Sequence, residues 1–194
     1  MKFLNKNTIK LDKELNELDK FVLDFIKILK KHASYVIISG YISLLFGRAR
    51  GTEDIDIFIE EVTKENFIRL YQEIEEKYWC LNSDEVNEIY DYLKDGLPIR
   101  VAIKGQAIPN FEIKFAKALL AKEAFKDSII VKTTLGELKI SSLERQIAFK
   151  KYYLKSDKDL EDAKHIEKLF KENINYNKVE EYRRMIENAK TKNR

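Results

Sequence analysis

Cysteine is all but missing: Cys80 is the only one in 194 residues. A single thiol excludes an internal disulfide and a cysteine-rich zinc centre. Beside Trp79 it reads as a small buried hydrophobe. Glycines number six, and none forms a Walker-type or dinucleotide-type loop, which removes those phosphate-binding classes. No apolar run approaches the roughly 20 residues of a membrane span. The N-terminal residues lack a secretion-signal pattern, so the expected compartment is the cytoplasm, without membrane partners. Internal repeats and low-complexity tracts are absent as well. What is present is a globular composition, 44% hydrophobic, in a chain long enough to bury a sizeable core.

Charge is unevenly spread. Residues 1–100 carry 15 basic and 19 acidic side chains, a balance of −4, whereas residues 101–194 carry 21 and 14, a balance of +7. An acidic half followed by a basic half suits a polyanionic substrate, and equally suits solvated lysine-rich helices.

Periodicity supplies the elements. Met1 to Thr8 is polar and expected to be loose. Leu11 to Lys31 repeats apolar residues at three- and four-residue steps and predicts a long amphipathic helix, with His32 as a charge partner at its end. Tyr35 to Ile38 reads as a buried strand, Tyr41 to Phe46 as one or two helical turns, and Asp54 to Ile59 as a second strand. Helices are expected from Thr63 to about Tyr78 and from Ser83 to Lys94, with Trp79 to Leu81 between them as an edge strand or packed segment. Pro98 to Ile103 and Phe111 to Phe115 predict two more strands, Ala116 to Phe125 a helix, and Ser128 to Lys132 with Glu137 to Ile140 a hairpin. Beyond Ser141-x-x-Glu144, a capping-box signature, a helix to about Leu154 is expected. Two more follow, Asp157 to Lys171 and Asn175 to Asn188.

The stretch around the first two strands carries the chemistry. Asp54 and Asp56 fall on one face of a strand, because side chains alternate. Paired carboxylates repel each other unless a cation sits between them, and hard oxygen donors at that spacing suit Mg²⁺. An Asp-x-Asp alone is more often only a solvated strand end or a helix cap. Here it follows a strand, a Ser39-Gly40 turn, a short helix and a basic Gly47-Arg48-Ala49-Arg50-Gly51-Thr52 loop, an ordered combination.

That combination resembles the nucleotidyltransferase-fold superfamily. It is most similar to small stand-alone transferases of the abortive-infection AbiE toxin type (AbiEii-like), whose signature runs Gly-Gly…Arg-x-Thr-x-Asp-Ile-Asp. Here the signature stands as Ser39-Gly40-Tyr41…Arg50-Gly51-Thr52-Glu53-Asp54-Ile55-Asp56, with Tyr41 at the second small position and therefore a more crowded turn. The resemblance implies an α/β (α+β) fold, a nucleotidyltransferase-like mixed sheet flanked by helices, over residues 1–140, and a helical, basic C-terminal bundle over residues 141–194. It also implies a third carboxylate on a neighbouring strand. Glu112 is the only acid in Pro98 to Lys122; the alternative for it is a pair with Lys114 on an exposed strand face. In the AbiE-type toxins a lysine on a helix precedes a Lys-Asp-x-x-Asp run. Lys150 or Lys151, then Lys158-Asp159-Leu160-Glu161-Asp162, match that pattern, with Asp162 itself expected on a solvated helix surface.

The implied activity is transfer of a nucleoside monophosphate from ATP or another nucleoside triphosphate, with Mg²⁺ or Mn²⁺ held by Asp54, Asp56 and Glu112. Ser39, Gly40 and Thr52 would position phosphate oxygens, and Arg48, Arg50, Lys150 and Lys158 would meet the phosphate charge. The acceptor would be tRNA or another RNA, a protein or a small molecule, and a cognate antitoxin would be the partner. Two other classes remain open: a catalytically inactive nucleotide-binding module of the same fold, to which Tyr41 points, and an RNA-binding protein relying on the basic C-terminal half.

Overall fold

The computed structural model describes residues 1–192. Nine strands occur among them: β1 (Lys2–Asn5), β2 (Thr8–Lys10), β3 (Tyr35–Ile37), β4 (Asp54–Ile59), β5 (Tyr78–Cys80), β6 (Ile99–Ile103), β7 (Asn110–Phe115), β8 (Ile129–Lys132) and β9 (Glu137–Ile140). The helices are α1 (Glu17–Leu29), α2 (Gly40–Leu45), α3 (Lys64–Ile74), α4 (Val86–Lys94), α5 (Leu119–Lys126), α6 (Leu143–Ala148), α7 (Asp157–Leu169) and α8 (Tyr176–Lys192). Between α6 and α7 the helix widens into a π-helical turn, Phe149–Leu154. No helix among the described residues is long and apolar enough to cross a membrane.

All nine strands join one mixed sheet in the order β1-β2-β8-β9-β3-β4-β7-β6-β5. β4 lies near its centre, antiparallel to β3 and parallel to β7. Alternation along β4 sorts its side chains. Ile55, Ile57 and Ile59 are at most 1% exposed, while Asp54, Asp56 and Phe58 lie half-buried on the opposite face. Phe111, paired with Ile55, is fully buried, and its ring stacks on Phe25 and Phe21 of α1 at 3.9 and 4.4 Å. Aromatic pairs at such distances add about 0.5–1.5 kcal/mol beyond their area burial. Tyr90 of α4 meets Phe115 on this same face, edge to ring at 6.0 Å. Helices α1 and α4 therefore cover the isoleucine face, and the carboxylates are left on the other.

Several boundaries differ from the sequence expectations. Residues 1–8 are not loose, for β1 pairs with β2 and β2 runs parallel to β8. The first helix begins at Glu17 rather than Leu11. Asn16 and Asp19 form a reciprocal capping box there. Upstream, the Leu11 amide still bonds the Lys132 carbonyl at 2.8 Å, so Leu11 and Leu15 are buried without being helical. α6 is capped by Ser142, not Ser141. Around residue 80 the edge-strand alternative holds, with β5 antiparallel to β6.

The C-terminal helices join the body through aromatic contacts. Phe170, just past α7, meets Phe46 edge-on at 4.8 Å and Phe3 of β1 at 5.8 Å. Helices α6 and α8 stand across from the carboxylate face of the sheet, and an open cleft separates them from it.

Candidate active site

Register brings the distant acid to the Asp-x-Asp pair. In the parallel β4–β7 ladder Asp56 lies directly opposite Glu112, and Asp54 opposite Asn110. Neighbouring strands are about 4.8 Å apart, so three carboxylates share one face of two adjacent strands. Asp56 feels this most. Burial, together with the negative charges of Asp54 and Glu112, pushes its carboxyl up to about 6, against a hydrogen bond from the Ser39 hydroxyl and the charge of Lys114. Glu112 is engaged otherwise: its carboxylate takes Lys114 at 2.9 Å and Arg100 at 3.5 Å. Thr52 serves as a brace, its hydroxyl donating to the Asp54 carbonyl at 3.0 Å.

Among the described residues no three acidic, histidine or cysteine side chains are grouped as a ready-made metal cage. The donor set nevertheless has the chemistry of a hard-cation site. Asp54 and Asp56 offer only carboxylate oxygens, and the Asp56 carboxyl, raised first by burial and then by its acidic neighbours, would be stabilised in its charged form by a divalent cation. Glu112 joins them in competition with Lys114 and Arg100.

The turn before α2 has an unusual backbone. Ser39 sits at φ 64°, ψ −140°, a conformation L-residues rarely adopt. The carboxamide of Gln146, on α6, meets both backbone groups of this residue. Its oxygen accepts from the Ser39 N–H and its nitrogen donates to the Ser39 carbonyl, each at 3.2 Å. That orientation of the amide follows from its partners, a donor on one side and an acceptor on the other. Gly40 leaves room for a cation. A Cβ there would meet Arg50 Nη2 at 1.8 Å, so the guanidinium rests directly on the turn. Tyr41 does not crowd the turn, contrary to the sequence expectation. It is fully buried, and its hydroxyl donates to Asp19 at the start of α1 at 2.9 Å. Burial, with the Asp19 carboxylate beside it, holds that phenol well above its usual range.

The cations of the basic loop converge on one acid. Asp162 of α7 is fully buried, not on a solvated helix surface. Lys150 Nζ donates to it at 2.7 Å and to Asp159 at 3.3 Å. Arg48 donates to Asp162, to Glu161 and, at 3.0 Å, to the Lys158 carbonyl. Arg50 Nε stands 3.6 Å from the same Asp162 carboxylate. Arg50 Nε and Nη1 are buried without a hydrogen-bond partner. Three cations, Lys150, Arg48 and Arg50, stand around one buried carboxylate beside the Ser39–Gly40 turn, and Asp159 and Glu161 bring the cluster to formal neutrality. The Lys158 side chain is exposed.

A cleft of about 1230 Å³ opens over the carboxylate face. Ser39, Asp56, Phe58, Glu112 and Lys114 line its sheet side; Gln146, Phe149, Lys150, Tyr153 and Met185 line its helical side. It is larger than a typical single-ligand pocket of about 300–1000 Å³. Asp54, Arg48, Arg50, Thr52 and Lys158 are not among its lining residues. The structure thus brings Ser39, Asp56, Glu112 and Lys150 onto one cleft, sets Asp54 at its margin, and leaves Lys158 apart. Sequence reasoning missed Gln146 and the burial of Asp162. A signal for Gln146 existed: it lies four residues before Lys150, one helical turn away on the same face.

No protein-family model matches the chain, and no curated protein matches it in sequence. Solved structures do match in fold. An antigenic nucleotidyltransferase-like protein from Paracoccidioides brasiliensis superposes with a TM-score of 0.53 at 13% identity, over 89% of this chain and 85% of that one. The antibiotic-resistance factor ANT(2'')-Ia gives 0.53 at 15% identity, over 89% of this chain and 95% of that one. The fold is therefore nucleotidyltransferase-like, a mixed sheet flanked by helices.

Proposed function

We propose that the chain is a divalent-metal-dependent nucleotidyltransferase. The observation that carries this is the β4–β7 register, which aligns Asp54, Asp56 and Glu112 on one face beside the Ser39–Gly40 turn. Asp54 and Asp56 would hold Mg²⁺ or Mn²⁺, with Glu112 joining once freed from Lys114. When bound, such ions neutralise triphosphate charge and polarise the α-phosphate. Everything else is asked of the chain's own groups. The Ser39 hydroxyl and the Gly40 amide contact phosphate oxygens. Arg50, with two buried guanidinium nitrogens unpartnered, supplies donors to the departing pyrophosphate, and Lys150 and Arg48 stand beside it. An acceptor hydroxyl attacks the α-phosphorus, the bond to the β-phosphate bridging oxygen breaks, and Glu112 takes the hydroxyl proton.

The Arg50-x-Thr52-x-Asp54-Ile55-Asp56 match supports a toxin of the AbiE type with tRNA or another RNA as acceptor and an antitoxin as partner. The competing reading is a nucleotide-binding module without turnover, favoured by the engagement of Glu112 with Lys114 and Arg100.

Incubation with each labelled nucleoside triphosphate, Mg²⁺ or Mn²⁺, and total RNA, protein or small-molecule extract tests the proposal. Label should enter one of these fractions with release of pyrophosphate, and Asp54→Asn or Asp56→Asn should abolish it. Nucleotide binding by calorimetry without product in any fraction would instead establish the binding module. Activity that survives both substitutions would refute the carboxylate mechanism.

A further inference from the structure

We infer that Gln146 is a positioning residue that holds the Ser39 turn in its working shape from the far side of the cleft. The inference rests on the nucleotidyl-transfer reading for what the turn does, and on geometry alone for how it is held. Ser39 adopts φ 64°, ψ −140° without being glycine. A backbone in such a region is strained and persists only where its surroundings over-determine it. Its neighbours leave few candidates for that task. α2 is six residues long, and the Ser39 side chain makes no capping bond to it. Gln146 is what engages the residue: 4% exposed, it meets the Ser39 N–H and carbonyl together, in the manner of a neighbouring strand. A second contact fixes the carboxamide, because its oxygen also accepts from the buried Ser141 hydroxyl.

The consequence runs to the carboxylates. With its backbone held, Ser39 stays on the same cleft wall as Asp56. Ser39 and Gln146 line the cleft, so the clamp lies beside bound substrate. Lys150 follows one turn later on the same helix and bonds Asp162 and Asp159. One helix thereby sets both the phosphate-facing turn and the cation next to it.

Two substitutions test this. Gln146→Met keeps the length of the side chain and removes both hydrogen bonds; Gln146→Glu keeps an acceptor for the Ser39 N–H and removes the donor. If Gln146 positions the turn, kcat of the folded protein falls about tenfold to a hundredfold in Gln146→Met, and less in Gln146→Glu. The Ser39 and Gly40 amide resonances should shift in both variants. A residue that only fills the core would leave kcat of the folded protein unchanged, which would overturn the inference. A second arm does not depend on activity. Glycine adopts the Ser39 conformation unaided. The fall in the folding equilibrium constant caused by Gln146→Met should therefore be about tenfold smaller in a Ser39→Gly background. Equal penalties in both backgrounds would show that the clamp does not act on the Ser39 backbone. Should the wild-type chain release no pyrophosphate with any acceptor, the transfer reading fails, and the stability cycle still decides on the clamp.

Discussion

Asp56→Asn is expected to make the metal-free protein more stable while removing its activity. Burial and two neighbouring carboxylates raise the Asp56 carboxyl from 3.8 to about 6. The unfolded chain releases this proton near 3.8, and the folded chain holds it until about 6. Between those values the folded state binds more protons, so stability falls as pH rises through the window, and the full penalty stands above 6. A displacement of that size corresponds to about 3 kcal/mol at neutral pH. Because Asp56 is half-buried rather than sealed from water, a gain of about 1–3 kcal/mol is the working expectation for the neutral isostere. Asparagine keeps an oxygen for the Ser39 hydroxyl and sheds the charge.

For a chain of this size each kcal/mol moves Tm by about 2–4 °C. Thermal melts with chelator at pH 8 should therefore show Asp56→Asn melting about 2–12 °C above wild type, with the gap closing as pH is lowered toward 4.5. Saturating Mg²⁺ should raise the wild type and narrow the gap at pH 8, since a ligand that binds only the folded state stabilises it by mass action. A variant no more stable than wild type at pH 8, or a gap that does not change with pH, would refute the electrostatic account of this face.

Three further substitutions separate the parts of the site. Asp162→Ala strips the buried counter-charge from Lys150 and Arg48, and should cost about 3–5 kcal/mol in urea unfolding, a loss that a surface acid would not produce. Gly40→Ala puts a methyl where Arg50 Nη2 now lies; the guanidinium must leave, and nucleotide affinity measured by calorimetry should drop at least tenfold while the fold survives. Tyr41→Phe removes a buried hydrogen bond to the Asp19 carboxylate and should cost about 1.5–3 kcal/mol in unfolding, yet leave nucleotide turnover unchanged, because the ring faces away from the turn.

Much of the sheet centre was legible because two periods coincided with burial. Asp54-Ile55-Asp56-Ile57-Phe58-Ile59 alternates strictly, and β4 buries its isoleucines and bares its acids as that alternation requires. Glu112 could be chosen from Pro98 to Lys122 because it was the single acid there, and the register sets it opposite Asp56. Other features depended on tertiary context. Lys2 to Asn5 has little strand pattern of its own and becomes β1 by pairing with β2 at the sheet edge. Asp162 reads as one more charge on a charged helix; its burial follows from three cations arriving from elsewhere in the sequence. Tyr41 looked obstructive in a linear motif, because a string of letters does not say which way a side chain points.

The same contrast bears on how the site is put together. Strands β3, β4 and β7 supply the carboxylates and the turn, but none of them sets the backbone of Ser39 or seats Arg50. Gln146 does the first from α6, and Asp162 takes part in the second from α7, more than 100 residues along the chain from the loops they act on. Both contacts involve buried polar groups, whose loss costs more than the net value of the bonds they make. Displacing the C-terminal helices would therefore leave one charged network and one strained turn without partners at once. The helices after residue 140 thus supply contacts that the loops beside the carboxylate face rely on, and the shape of the Ser39 turn depends on their staying docked.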